Sequence, residues 1–217
     1  MKFLGYDSPI MSFLSKVADL FVLNVLTLIF SIPLVTIGAA TTAAHFAALK
    51  IHREEGHVFR NFWKSFKENL KQSTGIWLIF VAYSFLAITS FNIASQMGGK
   101  MGAIVQGVVM GTLIITAFLY AWVIPLQSKF FNPIRATLKN AFYMSFKYIL
   151  RTVLIVILNA VPVGALFLIF FVLQLRGFGI WLLCGVSVPI YWCALLYDKI
   201  FEQLEEMILE NEQLETE

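Results

Sequence analysis

Few residues of this chain are of a type that does chemistry, and their spacing argues against most of it. His45, His52 and His57 are the three imidazoles. His45 and His52 share a helical face at i, i+7, whereas a metal needs ligands closer together and a carboxylate or thiolate to complete the set. Cys184 and Cys193 lie nine residues apart on one apolar run, hence on opposite faces of a helix. No disulfide is expected, and both read as packing residues. A Gly-rich phosphate loop, a serine nucleophile elbow and an HExxH motif are all missing. No catalytic residue, cofactor or metal is therefore expected, and the chain does not read as an enzyme.

The remaining polar groups sit inside apolar sequence: Asp19, Asn24, Asn92, Gln106 and Asn159. Such groups are the default functional candidates of a membrane protein. Asp19 stands near a helix end, three residues from Lys16, which suggests a local ion pair at the interface. An ion-coupled carrier needs charge deep in the bilayer, and none is present. Pro33, Pro125, Pro162 and Pro189 fall one to a run; they read as kinks that membrane helices tolerate. Ala103, Gly107 and Gly111 form a small-residue ridge with GxxxG spacing, suited to tight helix contact within or between chains.

The elements that must position these residues are apolar helices. The sequence is 59% hydrophobic and 13% charged, with 21 phenylalanines, more apolar surface than a soluble domain of this length can hide. Five runs, Leu20–Leu49, Gln72–Gly99, Met101–Ser128, Thr152–Leu175 and Gly177–Tyr197, carry no Asp, Glu, Lys or Arg. Each approaches or exceeds the roughly 20 residues that cross ~30 Å of hydrocarbon. The predicted fold is all-α, a polytopic transmembrane bundle lying in a lipid bilayer. Residues 1–200 form one membrane domain and 201–217 an acidic tail.

Charge placement orients it. Loops Lys50–Lys71 and Lys129–Arg151 hold six and five basic residues, while the turns at Lys100 and Arg176 hold one each. Basic loops stay inside, so both face the cytoplasm, and so does the C-terminus. The first run allows two readings. Ile10 to Arg53 would measure about 66 Å as one helix, twice the hydrocarbon thickness. It is either one span kinked at Pro33 or a hairpin that raises the count to six crossings. No secretory signal is expected, since Asp7 stands where a basic segment belongs.

Two loop segments repeat weakly: Phe62–Gln72 "FWKSFKENLKQ" and Phe142–Thr152 "FYMSFKYILRT". If the match is genuine, it marks a parallel repeat of about 10–99 and 101–175. Each segment is predicted as an amphipathic helix. Phe62, Trp63 and Phe66 oppose Lys67 and Lys71 in the first, and Phe142 and Phe146 accompany Lys147 and Arg151 in the second. Such helices lie at the headgroup plane or dock a cytoplasmic protein, such as a transporter's nucleotide-binding subunit. The tail Asp198–Glu217 has eight acids against Lys199, which excludes an anionic-lipid anchor. Its charge should hold it near the basic loops. The net charge of +3 averages these opposed regions, and no nucleic-acid motif is present.

The stretches "YDSPIMSFLSKVADLFVLN", "IPLVTIGAATTA" and "FRNFWKSFKENLKQ" resemble the YesL-like family of bacterial membrane proteins. The most specific piece runs from Pro33 through Thr36, Gly38, Ala39 and Thr42 to Ala43. The resemblance implies an all-helical polytopic protein of the bacterial plasma membrane. It also implies genes that often neighbour carbohydrate ABC-transporter components, with no activity or catalytic residue to carry over. The EAA-x3-G signature of sugar permeases is missing here, "REEG" at Arg53–Gly56 being a superficial echo. The expected function is an accessory membrane protein of carbohydrate uptake or its regulation. The alternative is a small stand-alone solute transporter. The sequence leaves the oligomeric state open.

Overall fold

The computed structural model describes residues 9–130, 132–173 and 178–216, and among these it contains helices and turns but no strand. Eight α-helices are described: α1 Pro9–Ser31, α2 Ile37–His52, α3 Val58–Met97, α4 Gly99–Lys129, α5 Ile134–Lys147, α6 Ile149–Phe171, α7 Phe178–Cys184 and α8 Ser187–Thr216. Six stretches are long and apolar enough to cross a membrane, namely α1, Leu34–His52, α3, α4, α6 and Phe178–Glu210.

Of the two readings of the first run, the hairpin is the one observed. Pro33 is extended, with φ −73° and ψ 109°, and a single 3-10 turn, Leu34–Thr36, separates α1 from α2. Proline cannot continue the hydrogen-bond ladder, and it disfavours helix at the residue before it. The freed carbonyls are served locally: Thr36 Oγ1 lies 2.7 Å from Phe30 O and 2.8 Å from Pro33 O. Lys16 near the start of α1 pairs with Glu54 just past the end of α2 at 2.8 Å. The two helices therefore run antiparallel, and Asp19 is not the partner of Lys16.

α2 is the centre of the bundle, packed against α1, α3, α4 and α8. Its small side chains allow this. A Cβ added at Gly38 would lie 2.5 Å from Ser73 O and 2.4 Å from Trp77 Cβ, so α3 crosses there almost on the backbone. Ala39, Ala43, Ala44 and Ala47 are fully buried. Thr42 Oγ1 bonds back to Gly38 O and meets Ser73 Oγ at 3.0 Å, a polar tie of the kind that binds helices where no water competes. Away from α2 the large apolar side chains, among them Phe85, Leu86, Ile104 and Val163, point outward, as a lipid-facing surface requires.

Two boundaries differ from expectation. The first predicted loop helix is not separate, because α3 runs unbroken through 40 residues, about 60 Å. The acidic tail is helical and continues the last span as α8. The fifth run, by contrast, is broken at Gly185–Val186, between α7 and α8. Pro189 in the first turn of α8 supplies no N–H, and the N–H groups opened by the break need an outside partner. Asn24 of α1 is that partner. Its Oδ1 accepts from Val186 N at 2.8 Å and Ser187 N at 2.9 Å, while its Nδ2 donates to Leu182 O at 2.7 Å.

Candidate functional site

Of the regions that gather polar groups, two are candidates for a site. The first is a cavity of about 240 Å³ enclosed by α2, α3, α4, α6 and the start of α8. Thr41 and His45 enter from α2, Asn159 from α6, and Trp77 and Tyr120 from α3 and α4. Pro125, Pro162 and Pro189 line it from three helices. Pro125 and Pro162 carry no N–H to offer the carbonyls of Ala121 and Leu158 one turn before them. His45 Nδ1 shares a hydrogen bond with the Tyr197 hydroxyl at 3.1 Å. Asn159 Nδ2 donates to Ile155 O at 2.9 Å, which leaves Oδ1 as its acceptor. No Asp, Glu, Lys or Arg lines the cavity.

Below the cavity, toward the charged end, Tyr197 and Phe201 are both fully buried, with ring centroids 4.7 Å apart. Tyr197 adjoins the cavity through its hydrogen bond to His45.

The second region is an ion-pair face just beyond these rings. Arg53 Nε donates to Asp198 Oδ1 at 2.8 Å, and Arg53 Nη1 lies 3.5 Å from Glu205 Oε2. Lys129 Nζ meets Glu205 Oε1 at 2.5 Å, and His52 Nε2 lies 3.3 Å from Asp198 Oδ2. The ends of α2 and α4 are thereby fastened to α8, placing the loop basic residues and the acidic tail at one end of the molecule. Burial weighs against the Arg53 charge, but its hydrogen bond to Asp198 and the nearby Glu205 and Glu202 outweigh it. The guanidinium is held above its ordinary value. In the same loop Lys50 holds the Glu55 carboxyl low, and Lys16 does so for Glu54.

The other candidate residues are placed as follows. Phe62 and Phe66 are buried against Phe30, at 5.5 Å and 4.8 Å between centroids. They face protein rather than the headgroup plane. Trp63 is partly exposed, with Lys67 Nζ 4.7 Å over its ring, and Lys71 is exposed. Phe142 and Phe146 stay half exposed, while Lys147 and Arg151 lie over Tyr148 at 5.3 Å and 5.7 Å. On α4, Ala103 and Gly107 are exposed, and a Cβ at Gly107 or Gly111 would meet nothing within 4 Å. The ridge makes no tight contact within the chain, a correction to half of the expectation. Gln106, Asp19 and Asn159 are half buried, whereas Asn24 is fully buried at the helix break. Among the described residues, no group of three or more His, Cys, Asp or Glu could hold a metal ion.

Sequence reasoning missed the cavity. His45 was weighed only as a metal ligand, and Thr41, Trp77 and Tyr120 were not singled out. The available signal was three prolines on separate runs, together with one imidazole in an otherwise Ala- and Thr-rich helix.

Comparison with known proteins adds the following. A family described as "Protein of unknown function, DUF624" matches residues 20–91. The "Uncharacterized protein YesL" of Bacillus subtilis (strain 168) is 30% identical over 164 residues, covering 73% of this chain and 76% of that relative. No solved structure matches.

Proposed function

We propose that this chain, which belongs to the YesL-like family, serves as an accessory protein of carbohydrate uptake in the bacterial plasma membrane, with its C-terminus in the cytoplasm. The observation that carries the reading is the far half of α8. Beyond the clamp formed by Arg53 and Lys129, Met207, Ile208, Leu209 and Leu214 remain exposed, Leu214 by 72%, among Glu202, Glu206 and Glu210. An exposed apolar cluster of this kind in water marks a protein contact, and its acidic flanks exclude anionic lipid as the occupant. The occupant assigned to it is the nucleotide-binding subunit of a carbohydrate ABC transporter. The resemblance to a family whose genes neighbour such components supports that choice.

The test is a triple substitution of Met207, Ile208 and Leu209 by Ser, followed by co-purification with the transporter subunit from the same host. Loss of the subunit with an unchanged thermal transition is the expected outcome. Retention of the subunit overturns the reading. A stand-alone transporter is the second reading, favoured by the central cavity and by the broken α7–α8 helix that borders it, since such breaks line substrate sites in carriers. Solute flux in liposomes containing this chain alone would select it.

A further inference from the structure

The central cavity shares a wall with a second hollow. Between α3 and α4 a groove of about 550 Å³ opens on the outer surface of the bundle, lined by Phe80, Val81, Phe85, Ile88, Leu113 and Ala117. Its two hydroxyls are already committed to their own helices: Ser84 Oγ donates to Phe80 O at 2.7 Å and Thr116 Oγ1 to Thr112 O at 2.8 Å. The groove is apolar in effect and lies between two of the apolar stretches long enough to span a membrane, so it faces acyl chains.

Trp77 and Tyr120 line both hollows, with ring centroids 6.2 Å apart. The Trp77 indole is tethered by Nε1 to Leu34 O at 2.9 Å. On the inner side of these rings lie polar groups: Asn159 Oδ1, an acceptor, and the ring nitrogen of His45 that Tyr197 does not use, which donates or accepts according to its tautomer. Because the adjoining groove opens on the outer surface of the bundle, the bilayer is the nearer source of a ligand.

We infer that the cavity binds an uncharged, hydroxyl-bearing amphiphile drawn from the bilayer. Its chain lies in the α3–α4 groove, and its polar end reaches past the edge of the Trp77–Tyr120 pair to His45 and Asn159. Absence of charged lining sets the class, because an ionised headgroup would be desolvated there with no counter-charge. Asn159 Oδ1 and the second His45 nitrogen, in either tautomer, suit a head whose hydroxyls both donate and accept, so a polyol such as that of a monoacylglycerol fits. The assignment is independent of whether a partner docks on α8.

The test uses the full chain in nanodiscs and a monoacylglycerol carrying a diazirine next to its head. Photolabelling is expected on the peptides containing His45 and Asn159. The substitution Ala117→Phe, which narrows the groove, should cut that labelling about tenfold, the equivalent of ~1.4 kcal/mol. Should that variant fold poorly, judged by its gel-filtration profile, competition in the unaltered protein replaces it. Unlabelled monoacylglycerol should then displace the probe about tenfold more effectively than a fatty acid of the same length, again ~1.4 kcal/mol. Labelling confined to groove residues such as Phe85 and Leu113 overturns the proposal, leaving only boundary lipid. Equal displacement by the charged competitor overturns it as well.

Discussion

The chain contains two stretches of small residues, Gly38 to Ala48 on α2 and Ala103 to Gly111 on α4, and they meet opposite fates. Eleven of the sixteen residues of α2 are buried, and Gly38 leaves no room for even a methyl group beside Ser73 and Trp77. At Gly107 and Gly111 there is open space. Smallness permits close approach but does not cause it, because lipid tails solvate an alanine face as well as another helix does. The polar groups interleaved in α2 make the difference. Thr42 is tied to Ser73 and His45 to Tyr197, so separating α2 from α3 or α8 would strand buried hydrogen bonds. On α4 the nearest hydroxyls, Thr112 and Thr116, bond back to their own helix and offer a neighbour nothing.

The strongest way to break this contrast is to fill the tight site. Gly38→Val should destabilise the protein by about 3 kcal/mol, the upper part of the overpacking range, because the obstructing atoms include a backbone carbonyl. Its thermal transition in mild detergent should fall clearly below that of the parent. A transition that does not move would mean that α2 and α3 are not in contact at Gly38.

Removing a polar tie should cost less. Asn24→Ala leaves two amide N–H groups at the α7–α8 break without their acceptor, a loss of about 1–3 kcal/mol. Hydrogen exchange at Val186 and Ser187 should accelerate in parallel, and unchanged protection there would detach Asn24 from the break. At the bottom of the scale, Gly107→Ala and Gly111→Ala should shift stability by no more than about 0.5 kcal/mol. A loss as large as that at Gly38 would erase the contrast and place a second chain against the α4 ridge.

How much of this was legible in the sequence depended on how far apart the partners stand. The helical class, the apolar runs and the interruption at Pro33 are local, written in composition and in one residue's missing donor. The first loop helix was misplaced for a local reason too: nothing between Asn61 and Gln72 breaks a helix, so it fuses with its span, whereas the matching segment breaks at Tyr148. The burial of Phe62 and Phe66 could not be foreseen, because amphipathic spacing gives a face but not what covers it, and Phe30 does. The cavity and the ion-pair face join residues such as His45 with Tyr197 and Arg53 with Asp198, 152 and 145 positions apart. Periodicity carries no information over that distance.

The bond from Asn24 to the α7–α8 break also sets a clock on biosynthesis. The groups that Asn24 serves lie 158 to 163 positions further along the chain. At the roughly 5–20 residues per second of translation, they emerge on the order of ten seconds or more after Asn24 itself. Throughout that interval the Asn24 amide lacks the partners it has in the folded bundle, although α1 can already pack on α2.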